Sequence, residues 1–432
     1  MRRFKTNDRY RITKSSVFCA LACAVPSTAL SQSFVNTSVK WVNAVTVQQP
    51  LEGAVNPQNT VFETPSLQLL SEWRPEAKIS LARKLVVVAK PRFSMSSAAT
   101  QVAGRTSQSK TWLDYFWREA YGTLTASEVL QFSYGLQNFQ WGPTESFSPT
   151  NTIARNSGFA GDILSEPAAH QVARINFTPK QNINALVLTE IAPSQQSPFL
   201  AEESFHKQIL GKLEITDSSA TSYAAIVAGS AEDGETFQGA YFNLAFNDTF
   251  STYGDAKVNN KSRVWYPKEA QNSGSVSSFE KNTHRNTRVF SNLGTRFSFG
   301  NGVDLRAEFI RYDEGYSKSQ LRQSITNAST LSQELPTNIA RYSAPGLELP
   351  CKNSLYIAQH YLDTAGDSGV NQSLGWFGSM DDGTGNFFAS ISANAFNDLE
   401  VFASGSVAQG QLDRFYTRDK SWKGAAGVIW NW

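Results

Sequence analysis

The sequence predicts an all-β fold: a transmembrane, antiparallel, up-and-down β-barrel of about eighteen strands, with sixteen as the fallback count. Three observations predict it. Apolar and polar residues alternate with period two along most of the chain, as in strands whose successive side chains point to opposite faces. The links between these segments alternate between short and long, which is how outer-membrane barrels are wired. An export signal stands at the N-terminus. Composition fits the same class. The 432 residues are only 18% charged, below the ~25% usual for soluble domains. No apolar run approaches the ~20 residues of a membrane-spanning helix. That excludes a helical membrane protein but not a barrel, whose alternating strands average out to polar. A net charge of +2 argues against nucleic acid as a partner.

Residues 1–31 read as a signal peptide and 32–432 as the barrel. Arg2, Arg3, Lys5, Arg9, Arg11 and Lys14 form a basic start, Ser15 to Val25 a short apolar core, and Pro26 to Ser31 a small-residue cleavage site. Cleavage after Ser31 removes six basic residues and one acid, so the net charge falls from +2 to −3. Cys19 and Cys23 leave with the signal, so Cys351 is the sole thiol of the mature chain and no intramolecular disulfide is expected.

The strands follow in order. A weak one at 38–47 precedes the clearest, Leu67 to Leu81, where Leu67, Leu69, Trp73 and Ile79 oppose Gln68, Glu72, Arg74, Glu76 and Lys78. After the turn near Arg83 the alternation restarts, with Ala89, Pro91 and Phe93 against Lys90, Arg92 and Ser94. Further strands are expected at 112–124, 129–141, 171–178, 182–191, 206–216, 221–230, 237–247 and 251–264. The remainder lie at 285–299, 302–312, 354–362, 371–380, 386–396, 399–407 and 423–432. Short links fall near Arg83, Ala126, Lys180, Ser218, Asp248, Asn301, Gly366 and Asp398. Most intervening links are longer: 95–111, 142–170, 192–205, 265–284, 313–353 and 408–422. An even strand number leaves both termini on the short-turn, periplasmic side.

A soluble sandwich would share the period, but its polar face would meet bulk water. Here that face carries opposed charges at regular spacing, which suits a wetted lumen. Glu72, Arg74, Glu76, Lys78, Lys90, Arg92, Gln137, Arg288, Arg296, Asp304, Arg306 and Glu308 are the candidate pore-lining residues. Rows of opposed charge across a channel select solutes by charge at a constriction; the same residues as plain strand crosslinks are the structural reading. Arg118 and Glu119 are adjacent and face opposite ways at ideal register, so at most one is expected inside. The C-terminus discriminates barrel from sandwich. Ala426, Val428, Trp430 and Trp432 alternate up to a terminal aromatic, which resembles the signal read by bacterial barrel-assembly machinery; Val428, Trp430 and Trp432 are the candidate assembly signal.

Leu67 to Asn151 resembles a loosely defined set of Gram-negative porin-like barrels. The matching pieces are Ala89-Lys90-Pro91-Arg92-Phe93, Arg118-Glu119-Ala120-Tyr121, Gln137-Asn138-Phe139-Gln140-Trp141-Gly142 and Ser148-Pro149-Thr150-Asn151. The usual Gly-Arg-Gln before Trp-Gly is here Gly135-Leu136-Gln137, without the arginine. The resemblance implies an integral outer-membrane protein with a transport role and names no solute. The expected activity is that of a channel for small hydrophilic solutes, not an enzyme. Its partners would be outer-membrane lipids and lipopolysaccharide, the barrel-assembly machinery and the solutes themselves.

Other motifs stay secondary. Loop 142–170 is long enough to fold inward as a constriction, and 313–353 to form a lid or plug. Asp381 to Asn386 is rich in oxygen ligands but lacks the calcium-loop spacing, and reads as a hairpin turn. His170, His206, His284 and His360 show no metal spacing, so neither metal nor cofactor is expected. A polysaccharide-handling barrel is the alternative, with Phe139, Trp141, Phe147, Phe159, Trp265 and Tyr266 as its aromatic platforms. An outer-membrane hydrolase is a further alternative without a local sequence signature.

Overall fold

The computed structural model describes residues 34–50, 56–60, 63–81, 84–102, 107–153, 163, 164, 166, 169–192, 205–262, 264–269, 276–281, 287–322, 349–362, 369–411 and 420–432. The expected signal peptide and Phe159 lie outside them, as does most of 313–353. Numbered in chain order, the strands are β1 (Phe34–Pro50), β2 (Leu67–Leu81), β3 (Leu85–Thr100), β4 (Gln108–Ser127), β5 (Leu130–Gln137), β6 (His170–Lys180) and β7 (Ile183–Ala192). Next come β8 (Gln208–Thr216), β9 (Tyr223–Ala231), β10 (Thr236–Ala245), β11 (Phe250–Asn259), β12 (Trp265–Glu269), β13 (Val276–Lys281) and β14 (Arg288–Ser298). The last are β15 (Val303–Tyr312), β16 (Asn353–Leu362), β17 (Val370–Ser379), β18 (Gly385–Phe396), β19 (Leu399–Gln409) and β20 (Lys420–Asn431).

Eighteen of these form one antiparallel sheet, each strand pairing with its neighbours, and β20 returns to pair with β1. The sheet is closed, so it has no edge strand to satisfy. The C-terminal residue helps to seal the seam. Trp432 donates its N–H to Val39 O (2.9 Å), and its own carbonyl accepts from Val39 N (3.0 Å). β12 and β13 form a separate hairpin inside the long link 260–287, which alternation did not reveal.

The two faces separate as period two requires. On β2, Trp73 is 57% exposed and points outward, while Glu72 and Arg74 are buried inside. The outer face continues through Met95, Leu113, Ile209, Ile226, Leu293, Phe309, Ile357 and Ile391, all large, apolar and exposed. Such a belt is stable only against lipid, because water would meet a continuous apolar surface. Trp430, Trp41, Trp73, Phe93 and Tyr115 stand in register across five adjacent strands on this outer face.

Strand lengths divide the barrel. β1 to β4 have 17, 15, 16 and 20 residues, whereas the other barrel strands run from 8, in β5, to 12, in β18 and β20. About 9–11 residues cross a bilayer, and the excess of β4 over β5, residues 108–119, stands on the long-link side. Two expected strands end early. The 129–141 segment stops at Gln137 and 251–264 stops at Asn259, leaving Trp141 and Val264 in loops.

Inside, the wall is not polar throughout. Val172, Leu186, Leu188, Leu210 and Val227 on β6–β9 form a buried apolar patch, covered by Phe139, Trp141 and Ile153 of the link 138–169. Sequence alternation could not show this, because an apolar inner residue is tolerated wherever a loop lies over it.

Candidate functional site

The site is built inside the lumen by described residues of the link 138–169, namely 138–153, 163, 164 and 166. Gln137 ends β5 and is buried beneath it. Asn138 then donates its backbone N–H to Glu119 (3.1 Å). Trp141 packs into the apolar patch with Phe139 stacked on it at 5.5 Å. Gly142 follows at φ +89, where a Cβ would stand 2.7 Å from Ser148 Oγ and 2.8 Å from Asp255 Oδ2. Only glycine supplies both that backbone angle and that close approach. The Trp141-Gly142 pair is therefore a corner, one side apolar and the other too tight for a side chain.

Beyond the corner the link docks on the wall formed by β11 and β14–β16. Glu308 of β15 is fully buried. It accepts from the N–H groups of Glu145 (2.7 Å) and Ser146 (3.1 Å), the Ser146 hydroxyl, the Asn292 amide (2.9 Å) and the Tyr253 hydroxyl (3.0 Å). Asp255 of β11 accepts from Ser148 Oγ (2.6 Å), Thr150 N (3.0 Å) and Thr150 Oγ1 (3.1 Å). Glu145 reaches back from the link, accepting from Tyr356 OH (2.7 Å) and pairing with His360 Nε2 (2.7 Å) and Arg306 (3.2 Å). His360 Nδ1 lies 2.8 Å from Ser373 Oγ. Burial alone would raise the Glu145 carboxyl, but the His360 and Tyr356 contacts and the Arg306 charge hold it below the ordinary carboxylate range.

The far end of the link meets β1–β4 and the seam. Ile163 and Leu164 pack on Val42, Ala44, Phe402 and Ile429. Glu166 lies against three guanidinium groups: Arg74 at 3.3 Å, Arg92 at 3.2 Å and Arg118 at 3.3 Å. Around them Glu72 pairs with Arg74, Glu76 with Arg92 and Lys90 with Glu119. Burial works to raise the Glu166 carboxyl, but the Arg92 hydrogen bond and the charges of Arg74, Arg92 and Arg118 outweigh it and hold it low.

Two prolines and a bulge bring so much charge to one spot. The β2–β3 ladder keeps one register on either side of a gap, Trp73↔Phe93 and Ala77↔Ala89, which sets Pro75 opposite Pro91. Neither has an N–H to donate. On the other side of β3 the register slips by one residue, from Lys90↔Glu119 to Pro91↔Trp117. Arg118 is the extra residue of a β-bulge, and bulges re-aim side chains. Both Arg118 and Glu119 are buried inside, Arg118 on Glu166 and Glu119 on Lys90. This corrects the expectation that at most one of the pair faces inward. Proline inside a central strand is confined to such irregularities, so Pro91 was the available sequence signal.

Of the sequence-derived candidates, Glu72, Arg74, Glu76, Lys78, Lys90 and Arg92 stand on the inner rows of β2 and β3, with Lys78 exposed near the short turn. Arg296 pairs with Asp304, which also accepts from Arg306 Nε (3.2 Å). Arg288 lies on the inner row at the start of β14, half-buried. Glu308 and Gln137 face inward but lie under the link, out of contact with water; Glu308 is a docking post for the loop rather than a wetted charge. Val428, Trp430 and Trp432 run along β20 to the seam, Trp432 stacking on Trp430 (5.7 Å) and Trp41 (6.4 Å). Glu145 and Glu166 were not singled out by the sequence, since an isolated acid in a long loop has no periodic signature. Asp381 sits in the β17–β18 turn and accepts from the N–H groups of Lys352 and Asn353 (both 2.9 Å), bracing the neighbouring link. Among the described residues no group of His, Cys, Asp and Glu is arranged to hold a metal ion.

No family model and no curated protein matches the chain. Solved structures do. Acinetobacter baumannii OccAB1 superposes with a TM-score of 0.55 at 11% identity, covering 92% of this chain and 96% of its own. Pseudomonas aeruginosa OccK7 (OpdD) gives 0.52 at 8% identity over 93% and 99%. The P. aeruginosa OpdK structure with vanillate gives 0.52 at 8% identity over 94% and 99%. The fold is that of the Occ/OprD barrels. At identities this low the likeness is one of architecture, and the charged cluster on β2–β4 rests on this chain's own residues.

Proposed function

We propose that the chain is an integral outer-membrane channel of a Gram-negative bacterium that passes small hydrophilic solutes, anions preferentially. The observation that carries this reading is a closed barrel in which link residues 138–153, 163, 164 and 166 are pinned inside the lumen beside a wall where Arg74, Lys90, Arg92 and Arg118 stand among Glu72, Glu76, Glu119 and Glu166. A narrowing flanked by charge selects by charge, and guanidinium groups favour planar carboxylates and phosphates. The likeness to OpdK, whose structure carries the carboxylate vanillate, supports the solute class. The test is planar-bilayer conductance of the refolded protein with reversal potentials in a salt gradient. Ohmic single channels with a low-salt anion preference are expected; a folded barrel without conductance would sink the reading.

The polymer-handling alternative is less well supported. Trp141 and Phe147 are buried in apolar clusters, so they offer no stacking platform to a glycan. We read the Ser373–His360–Glu145 contact as loop docking rather than nucleophile activation, because Glu145 is shared with Arg306 and Tyr356. Inertness of Ser373 to a fluorophosphonate probe is the expected result. Trp432 serves assembly in this proposal, through its place at the seam. Trp432→Ala is expected to lower the amount of folded barrel in the membrane while inserted channels conduct normally.

A further inference from the structure

Glu166 differs from every other carboxylate in the β2–β4 cluster in its origin. Glu72, Glu76 and Glu119 belong to the wall strands, whereas Glu166 comes from the link and lies outside the ladder. Its side chain is 31% exposed, as is that of Glu76, while those of Arg74, Arg92 and Arg118 beneath it are 9%, 2% and 5% exposed. A solute in the lumen therefore meets the Glu166 carboxylate before it meets the guanidinium groups. Among the described ion pairs of the cluster, Arg74, Lys90, Arg92 and Arg118 meet Glu72, Glu76, Glu119 and Glu166, and removing the last takes one negative charge from beside three guanidinium groups.

We infer that Glu166 is a specificity-determining residue: a tethered carboxylate that fills an oxyanion cradle made by Arg74, Arg92 and Arg118, which a solute carboxylate or phosphate enters only by displacing it. The inference rests on the channel reading above and deepens it. A wall strand's acid can move only through its own rotamers about a backbone fixed in the ladder, whereas Glu166 stands outside the ladder and can leave with its backbone. One incoming oxyanion restores the same charge balance on the same donors, so the exchange leaves no guanidinium buried without a counter-charge. A tethered competitor acts at an effective concentration in the millimolar range. The cradle is therefore closed to dilute anions that bind it more weakly than Glu166 and open to those that bind it better.

The test uses the folded, detergent-solubilised barrel with inorganic phosphate as probe, read by calorimetric titration, and the same protein in planar bilayers. Glu166→Gln is expected to bind phosphate about tenfold more tightly than wild type or better, and to shift the low-salt reversal potential further towards anions. In case that variant assembles poorly, Glu166→Cys is alkylated after folding; Cys351, wholly buried, is spared. Iodoacetamide, which leaves a neutral group, is expected to open the cradle to phosphate, and iodoacetate, which restores a carboxylate, to close it. Equal phosphate affinity in wild type, Glu166→Gln and both alkylated forms would overturn the inference and make Glu166 a structural staple. A wild type that conducts nothing, paired with tighter phosphate binding in Glu166→Gln, would refute the channel and keep the cradle.

Discussion

The β2–β4 wall and the β14–β16 wall both turn charge inward and both hold the link 138–169, but by opposite means. On β14–β16 the ladder is regular, and its buried acid, Glu308, accepts from N–H and O–H donors of the loop and of neighbouring strands. On β2–β4 the ladder is broken by Pro75, Pro91 and the Arg118 bulge, and the wall offers cations to a single loop carboxylate. The first contact is built from many directional hydrogen bonds in a dry site. The second is ionic and partly open to the lumen, where water and salt compete with it. A loop held this way is fixed at one end and exchangeable at the other.

Four experiments break or sharpen that contrast. The largest effect is expected from Glu308→Ala, which strips the acceptor from several buried donors at about 1–3 kcal/mol each. The barrel should still assemble, but residues 142–153 should become protease-sensitive and single-channel conductance should rise; unchanged protection and conductance would refute the docking role. Next comes Lys90→Gln with Arg92→Gln. Removing one side of a buried pair costs about 3–5 kcal/mol, here concentrated on Arg92, and the low-salt reversal potential should move towards cations. Unchanged selectivity in a conducting double variant would assign both residues to packing.

Gly142→Ala is smaller. Forcing a side chain into positive φ costs about 1–3 kcal/mol, and the added Cβ collides with the Ser148–Asp255 contact. Noisier open-channel current with normal assembly is expected, and wild-type noise would mean that the corner is not needed. The smallest effect is acid. Glu145 and Glu166 are both held below the ordinary range, so their contribution to docking is complete above the ordinary carboxyl value near 4.3. It is lost only as pH falls through their lower folded values. Conductance should stay flat from neutral pH to about 4.3 and then rise; a rise well above that would refute carboxylate docking.

Much of the barrel was legible because period two is a local property. Trp73 outward and Glu72 and Arg74 inward follow from adjacent positions on β2, and the return of Trp432 to the first strand follows from an even strand number. The register of β4 was less legible. Arg118 and Glu119 obey alternation only if the ladder is perfect, and Pro91, which spoils it, sits on the neighbouring strand. The aromatic residues of the link misled most. Phe147 reads equally as a lipid anchor, a glycan platform or a core residue, and packs as the last beside Phe290, Tyr312 and Tyr356.

The sequence by itself determined the strands, their two faces, the short and long ends and the aromatic terminus, because each depends on residues close together in the chain. The tertiary structure alone decided which charges remain open to the lumen. Glu145 meets Tyr356 and Glu166 meets Arg74, Arg92 and Arg118 across large separations in sequence, and no pattern within a strand encodes a partner on the far wall. Once the loop is pinned there, Glu308 becomes a dry anchor and the arginines of β2–β4 become the charge that Glu166 covers.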